Sequence, residues 1–289
     1  MVDLHTHTNH SDGTWSLEKL LENAEKSKVT VLSITDHDNV KAYKKLREID
    51  HNSIFSGKII TGGEFHAVFN NSNIELLGYD FDVDYIDEWS SDTYTINDNE
   101  LGLNEEFNCL MNACYKNKIK VDDIKYEPSM GWPIDFVFDS LKKYPENKQF
   151  FFDKEWNDVD HFFKCCKYNI DFPLYINFSN HIPDAKLVAK TIRDAGGKVF
   201  IAHLYKYPLR DYIAYLDKLR EEDIIDGIEV YHSKFDDAQV KFLEDYCKKH
   251  NLLMSGGTDC HGDKKAERKI GTGFGDMNIS EDIIKNWIN

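Results

Sequence analysis

The chain of 289 residues has no run of 18 apolar residues, so no segment has the length of a membrane-spanning helix. Its opening, Met1-Val2-Asp3-Leu4-His5, has no charged stretch followed by an apolar one, and the expectation is a protein without a secretory leader. Disulfide patterning is absent as well. The six cysteines (Cys109, Cys114, Cys165, Cys166, Cys247 and Cys260) form no CxxC pair, and adjacent Cys165 and Cys166 read most simply as reduced thiols in the cytoplasm. Basic charge is in deficit, with 35 Lys and Arg against 51 Asp and Glu and a formal charge of −16. Such a field repels long nucleic acid and is easier to reconcile with a small partner. There is no internal repeat and no low-complexity segment.

What is present is a set of polar blocks, most of them following a short apolar or β-branched run. In order they are Val2-Asp3-Leu4-His5-Thr6-His7 with Ser11-Asp12-Gly13, Ile34-Thr35-Asp36-His37-Asp38-Asn39, Gly62-Gly63-Glu64-Phe65-His66, Ile201-Ala202-His203, and Gly256-Gly257-Thr258-Asp259-Cys260-His261. A parallel strand delivers side chains at its C-terminal end in this way. His5 and His7, two apart on an extended segment, share one face and can grip one ion. An isolated HxH is weak evidence for metal, but further histidines and carboxylates at other strand ends make a multinuclear site the expectation.

Around the blocks, strands alternate with helices, which favours one α/β domain over the whole of 1–289. Leu17, Leu20, Leu21 and Ala24 fall at helical spacing after Ser16. Val29 to Thr35 reads as a strand ending at Asp36-His37-Asp38, and Lys58 to Thr61 as one running into Gly62-Gly63-Glu64. Asp184 suits the N-cap of a helix that Gly196-Gly197 stops before a strand from Val199 to His203. Gly227 to Tyr231 and Leu252 to Gly256 read as buried strands. Between residues 86 and 172 the chain is aromatic and acidic and holds no ligand block. Helical spacing at Leu101, Phe107, Leu110, Met111 and Ala113 suggests a mostly helical insertion, taken as 86–183, over the mouth of the site; a separately folding domain is the alternative.

The blocks and their order resemble the PHP (polymerase and histidinol phosphatase) family of metal-dependent phosphoesterases, over roughly 1–82 and 184–289. The resemblance implies a distorted (β/α)7 TIM-like barrel and three divalent ions. His5, His7, Glu64 and Asp259 would hold the first, with Glu64 bridging to a second that takes His203; Asp12, His37 and His261 would hold the third. The mixed nitrogen and oxygen donors suit Mn, Fe or Zn better than Mg. A hydroxide bridging two ions is the expected nucleophile, since ions lower the pKa of bound water toward about 7 and clamp the attacking and leaving oxygens. The implied reaction is hydrolysis of a small phosphorylated metabolite or nucleotide, and bound cations would reverse the acidic field locally.

Two departures from the family pattern bear on the site. Where relatives carry a histidine ligand before an Ile/Leu-Gly-Tyr segment, this chain has Glu75, ahead of Leu76-Leu77-Gly78-Tyr79; either Glu75 or His66 completes the second ion's shell, His66 otherwise being a rim histidine held by hydrogen bonds. Where nucleotide-cleaving relatives carry Gly-Arg-Pro-His, the counterpart is Gly131-Trp132-Pro133-Ile134, which exchanges a bidentate phosphate clamp for an indole. Phosphomonoesters with a ring or apolar group are therefore expected to be preferred over 3′,5′-bisphosphates and RNA ends. Lys206, Lys264, Lys265 and Arg268 follow ligand blocks and are either solvated charges or phosphate contacts, with Lys206 and Arg268 favoured. His232, at the end of a buried strand, is a structural histidine or the proton donor to the leaving oxygen. Asp36 and Asp38 cap a turn or orient His37, the latter preferred for Asp36. Cys260 points away by strand alternation. Competing functions are an amidohydrolase-like attack on a C–N or lactone bond, and a metal-binding module without activity.

Overall fold

Short apolar runs and side-chain caps shape the first third of the chain. The structure is a computed structural model, and it describes residues 1–94, 100–176 and 182–288. After β1 (Val2–Asp3), the Ser16 hydroxyl accepts the Lys19 N–H and starts α1 (Leu17–Lys26), which buries Leu17, Leu20, Leu21 and Ala24. The β-branched run forms β2 (Val31–Ser33), followed by α2 (Lys41–Leu46) and β3 (Lys58–Ile60). These three strands make a parallel sheet in the order β1-β2-β3.

The expected strand from Lys58 into Glu64 is in fact two strands in two sheets. The Tyr43 hydroxyl donates to the Ile60 carbonyl where β3 ends, and β4 (Gly62–Phe69) begins an antiparallel hairpin with β5 (Ser72–Tyr79). Asn70 and Asn71, both at positive φ (53° and 62°), form its turn. The hairpin is buried almost throughout, so it carries no polar alternation that would have announced it.

Asp82 caps α3 (Val83–Thr93), and Val83, Ile86 and Tyr94 pack into the main core. Next come α4 (Glu100–Lys116), α5 (Pro133–Lys142), α6 (Asp153–Asn157) and α7 (Val159–Tyr168). They enclose a second apolar cluster running from Leu110 to Ile176, with Val137, Leu141, Phe162 and Cys166 fully buried. Residues 86–94 of the expected insertion thus belong to the main core, and 95–99 and 177–181 lie outside the described residues. The Asn73 amide of β5 donates to the carbonyls of Lys167 (2.8 Å) and Ile176 (3.2 Å), which docks the helices on the hairpin.

The last third follows the expected alternation. Asp184 caps α8 (Ala185–Asp194), and Gly196, at φ +88°, ends it before β6 (Lys198–Ile201). Then follow α9 (Tyr212–Glu221), β7 (Gly227–His232), α10 (Asp237–His250) and β8 (Leu253–Gly257). The second sheet has the order β4-β5-β6-β7-β8, antiparallel in its first two pairings and parallel in the last two. The fold is therefore mixed α/β with parallel sheets, and among the described residues neither sheet closes on itself. Isolated parallel bridges join them, Thr6 with Cys260 and His37 with Glu64. Asp38 and Asp259, at φ 54° and 55°, lie beside these seams and break the extended backbone that a continuous ladder needs. Among the described residues, no helix is long and apolar enough to cross a membrane.

Candidate metal centre

The ends of β1, β2, β4, β6 and β8 converge, bringing histidines and carboxylates from distant parts of the chain together. Glu64, fully buried, faces two ways. Its Oε2 is 3.1 Å from His5 Nε2 and 3.4 Å from both His7 Nε2 and His37 Nδ1, while its Oε1 is 2.7 Å from His203 Nε2. Asp259 Oδ1 lies 3.4 Å from His7 Nε2 and 3.7 Å from His5 Nε2. A third gathering surrounds Asp12, whose Oδ1 is 3.1 Å from His261 Nε2, 3.7 Å from His37 Nε2 and 3.8 Å from His7 Nδ1. Donor atoms lie within 4.8 Å of one another in each of the groups His5/His7/Glu64, Glu64/Glu75/His203 and His7/Asp12/His37/His261.

These residues fit divalent cations. Both nitrogens of His7, Asp12 Oδ1 and His37 Nδ1 are buried without a hydrogen-bond partner. A buried polar atom left in that state costs about 1–3 kcal/mol, and these atoms all face shared neighbours, which a cation would satisfy together. Charge agrees with this. Burial, then repulsion from His261, pushes His7 down to about 3, so it is neutral and ready to ligate. Burial works against ionisation of Glu64 and Asp259, but adjacent histidines (His5 foremost for Glu64, His261 for Asp259) and Lys265 outweigh it and hold both carboxyls well below their ordinary values.

Glu75 and His66 are directly opposed across the hairpin, and the structure brings both to the site. Glu75 Oε2 is 3.2 Å from His203 Nε2 and accepts the Lys206 ammonium at 2.8 Å, with the Tyr168 hydroxyl of α7 also donating to it at 3.2 Å. His66 Nε2 is 3.3 Å from Glu75 Oε1, and its Nδ1 is 2.7 Å from Asp38 Oδ2.

The residues behind the ligands differ from the sequence expectation at one point. Asp36 accepts from Thr8 N (2.7 Å), Thr8 Oγ1 (2.6 Å) and Ser11 Oγ (2.6 Å), so it fixes the loop leading to Asp12 instead of orienting His37. A buried carboxylate takes the nearest donors, and the turn at Thr8 supplies three. Asp38, through His66, orients a histidine instead. Sequence reasoning missed Glu229, fully buried on β7, whose Oε1 is 2.7 Å from His5 Nδ1 and whose Oε2 accepts the His203 N–H at 2.6 Å. It missed Asp3 too, which accepts Thr258 N (2.9 Å), Thr258 Oγ1 (2.7 Å) and Gly271 N (2.8 Å). The available signal was a charged residue inside an apolar strand, as in Gly227-Ile228-Glu229-Val230.

The ligands open into a cleft of about 570 Å³. Trp132, Ile134 and Phe163 from the helical segment form an apolar wall, and Lys164, Lys167 and Lys234 add charge that the sequence had not suggested. Each expected cation has a partner at the centre: Arg268 donates to Asp259, Lys206 to Glu75, Lys264 to Asp12 (3.1 Å) and Lys265 to His261 Nε2 (2.8 Å). Burial, and then neighbouring positive charge, lowers Lys164 and Lys234. His232 lines the same cleft with its Nε2 3.4 Å from Asp259 Oδ2, while its Nδ1 accepts the Lys234 N–H at 3.2 Å, which leaves the ring proton on Nε2. Burial lowers its basicity. Cys260 is buried in the core, clear of the ligand groups.

Known proteins share this fold. The structure is similar to that of a candidate metal-dependent phosphoesterase from Bifidobacterium adolescentis (TM-score 0.63, 21% identity, covering 99% of this chain and 96% of that one). It is also similar to an amidohydrolase from Chromobacterium violaceum (TM-score 0.64, 18% identity, 93% and 89%). At these identities the likeness concerns the fold alone. In sequence, the chain is 37% identical over 83 residues to the 5′-3′ exoribonuclease Rnm of Salmonella typhimurium and 36% identical to that of Escherichia coli, a match spanning 29% of this chain and 28% of each relative. The PHP domain profile matches residues 3–266, nearly the full length, and the chain belongs to the PHP domain family.

Proposed function

We propose that the protein is a metal-dependent phosphoesterase that hydrolyses a small phosphomonoester at a trinuclear centre. The observation that carries this reading is the division of Glu64, with one oxygen toward His5, His7 and His37 and the other toward His203. A carboxylate so placed would be shared by two cations, and Asp12, His37 and His261 would hold a third. When bound, Mn, Fe or Zn ions activate water and polarise the phosphoryl group.

The chain's own groups do the rest. Asp259, beside His5 and His7, would share their ion and anchors Arg268 at the cleft. Lys265 lies on His261 Nε2, the atom an ion would take, and would then be free to face the phosphate, whereas Lys264 is paired with Asp12 Oδ2, beside the Oδ1 that faces the histidines. Lys206 and Arg268 are read as phosphate contacts. His232, with its proton on Nε2 and its basicity lowered, is suited to donate a hydrogen bond to the leaving oxygen more than to cross the site as a full acid. Trp132, Ile134 and Phe163 receive a ring or apolar group.

The partial relative's name favours a second reading, in which the reacting group is the 5′ end of a short oligonucleotide. Both readings share the centre and differ in what the wall receives. We further read the two sheets as an opened form of the distorted (β/α)7 barrel, the described residues 100–176 as the insertion over its mouth, and the free thiols as those of a cytoplasmic protein.

The test is turnover of an aryl phosphate, a nucleoside monophosphate, a 3′,5′-bisphosphate, a 5′-phosphorylated RNA, an aryl amide and a lactone, each with Mn and after chelation. Metal-dependent release of phosphate from the monoesters is expected. Activity unchanged by chelation, or confined to the amide or lactone, overturns the proposal.

A further inference from the structure

A second group of donors lies on the helical segment, apart from the cleft ligands. Glu155 of α6 and His161 and Cys165 of α7 each present a donor atom, all within 4.8 Å of one another. His161 and Cys165 are four residues apart and share one helix face. Glu155 is held in place because its Oε2 accepts the Phe152 N–H at 2.9 Å, and among the described residues Oε1 accepts no hydrogen bond. Glu155 and Cys165 are buried, while His161 is only partly so, giving the group one side toward water.

The spacing suits a particular ion. Cys165 Sγ is 3.7 Å from His161 Nε2. With Zn–S about 2.3 Å and Zn–N about 2.0–2.1 Å, the tetrahedral angle puts sulfur and nitrogen about 3.6 Å apart. At this distance thiol and imidazole make a weak contact, and a zinc ion would need almost no rearrangement of these two groups. Burial, then the charge of Lys154, lowers the basicity of His161 against the opposite pull of Glu155 and Asp158. One nitrogen, one sulfur and one oxygen make a donor set that selects zinc or cobalt over magnesium.

We propose that Glu155, His161 and Cys165 form a structural zinc site, completed by water and distinct from the catalytic centre. On binding, the Cys165 thiol loses its proton to solvent and Zn–S, Zn–N and Zn–O bonds form, with no change of oxidation state. Without the ion, burial pushes that thiol up to about 12, so the protein in that state carries it protonated. The ion would pin α6 to α7. Because α7 also supplies Phe163, Lys164, Lys167 and Tyr168 to the cleft, the site stiffens the cover over the substrate. This inference is independent of the catalytic reading.

Sulfur provides the test, because the ligands proposed for the catalytic centre are nitrogen and oxygen only. Full-length protein stripped by chelator is titrated with cobalt(II) and followed in the near ultraviolet. Once every site is filled, a sulfur-to-cobalt charge-transfer band with the amplitude of one thiolate-bound cobalt per chain is expected, absent in Cys165→Ser and retained in Cys260→Ser. Zinc-loaded Cys165→Ser should hold one ion fewer by elemental analysis. Should that variant lose its fold by circular dichroism, His161→Gln, on the wetter side, carries the same expectation of a lost ion. No band, a band that survives Cys165→Ser, or a band lost only in Cys260→Ser overturns the site.

Discussion

Replacing Glu229 with glutamine keeps its shape and removes one acceptor. Glu229 Oε1 is 2.7 Å from His5 Nδ1, and Oε2 accepts the His203 backbone N–H at 2.6 Å. If His5 ligates through Nε2, its Nδ1 carries the proton, so the carboxylate serves two buried donors. Glutamine has one oxygen and one NH2, and one donor must then face another donor. Leaving a buried donor unmatched costs about 1–3 kcal/mol, and at about 1.4 kcal/mol per tenfold this is consistent with the roughly 10- to 100-fold loss of metal affinity expected when the group behind a histidine ligand is damaged. Competition between the protein and a calibrated chelator for Mn or Zn measures that affinity. The apo variant should also melt a few degrees lower, at roughly 2–4 °C per kcal/mol for a chain of this order of size. Metal affinity within twofold of the parent would refute the argument that Glu229 holds His5.

Glu75→Ala should reduce occupancy of the second ion and lower activity about 10- to 100-fold, whereas Glu75→His should preserve it; elemental analysis decides, and full occupancy in the alanine variant assigns the ligation to His66. For Trp132, specificity constants are expected to rank a ring-bearing monophosphate above the matching bisphosphate and a short RNA, with Trp132→Arg narrowing the gap; a parent enzyme that prefers the RNA defeats this account of the indole. In chelated protein, His7 is held down to about 3, so the unfolded chain, titrating near about 6.5, takes up a proton that the fold does not. Stability therefore falls as the pH drops from about 6.5 toward 3, and depressed Glu64 and Asp259 add to the loss at the acid end. A thermal midpoint flat across that range contradicts the sign.

Residues whose role depends on local pattern were legible from the sequence. Ser16 and Asp184 cap their helices, and Leu17, Leu20, Leu21 and Ala24 are buried as the helical spacing requires. His5, His7, Asp12, His37, Glu64, His203 and His261 come together, with Asp259 Oδ1 beside His5 and His7. Interactions between distant segments were not legible. Asp36 satisfies Thr8 and Ser11 because they happen to be its nearest donors, which no spacing reveals. The hairpin from Gly62 to Tyr79 hid because both its faces are covered, erasing the alternation that marks a strand pair. Glu229 is visible in sequence only as an oddity, and its partner His5 is 224 residues away.

The seam between β1 and β8 bears on how the protein is made. Asp3 accepts from Thr258, 255 residues along the chain, and Thr6 bridges to Cys260 beside two of the ligands. During synthesis, at about 5–20 residues per second, His5 and His7 leave the ribosome well before Asp259 and His261 exist. A nascent chain therefore holds half a shell, unable to gather its ions or to act. Contacts of such long range also slow the search for the native state. Ion binding is thereby withheld until residues 259–261 have been made, and a product cut short before them would carry His5 and His7 without the partners that complete their shell.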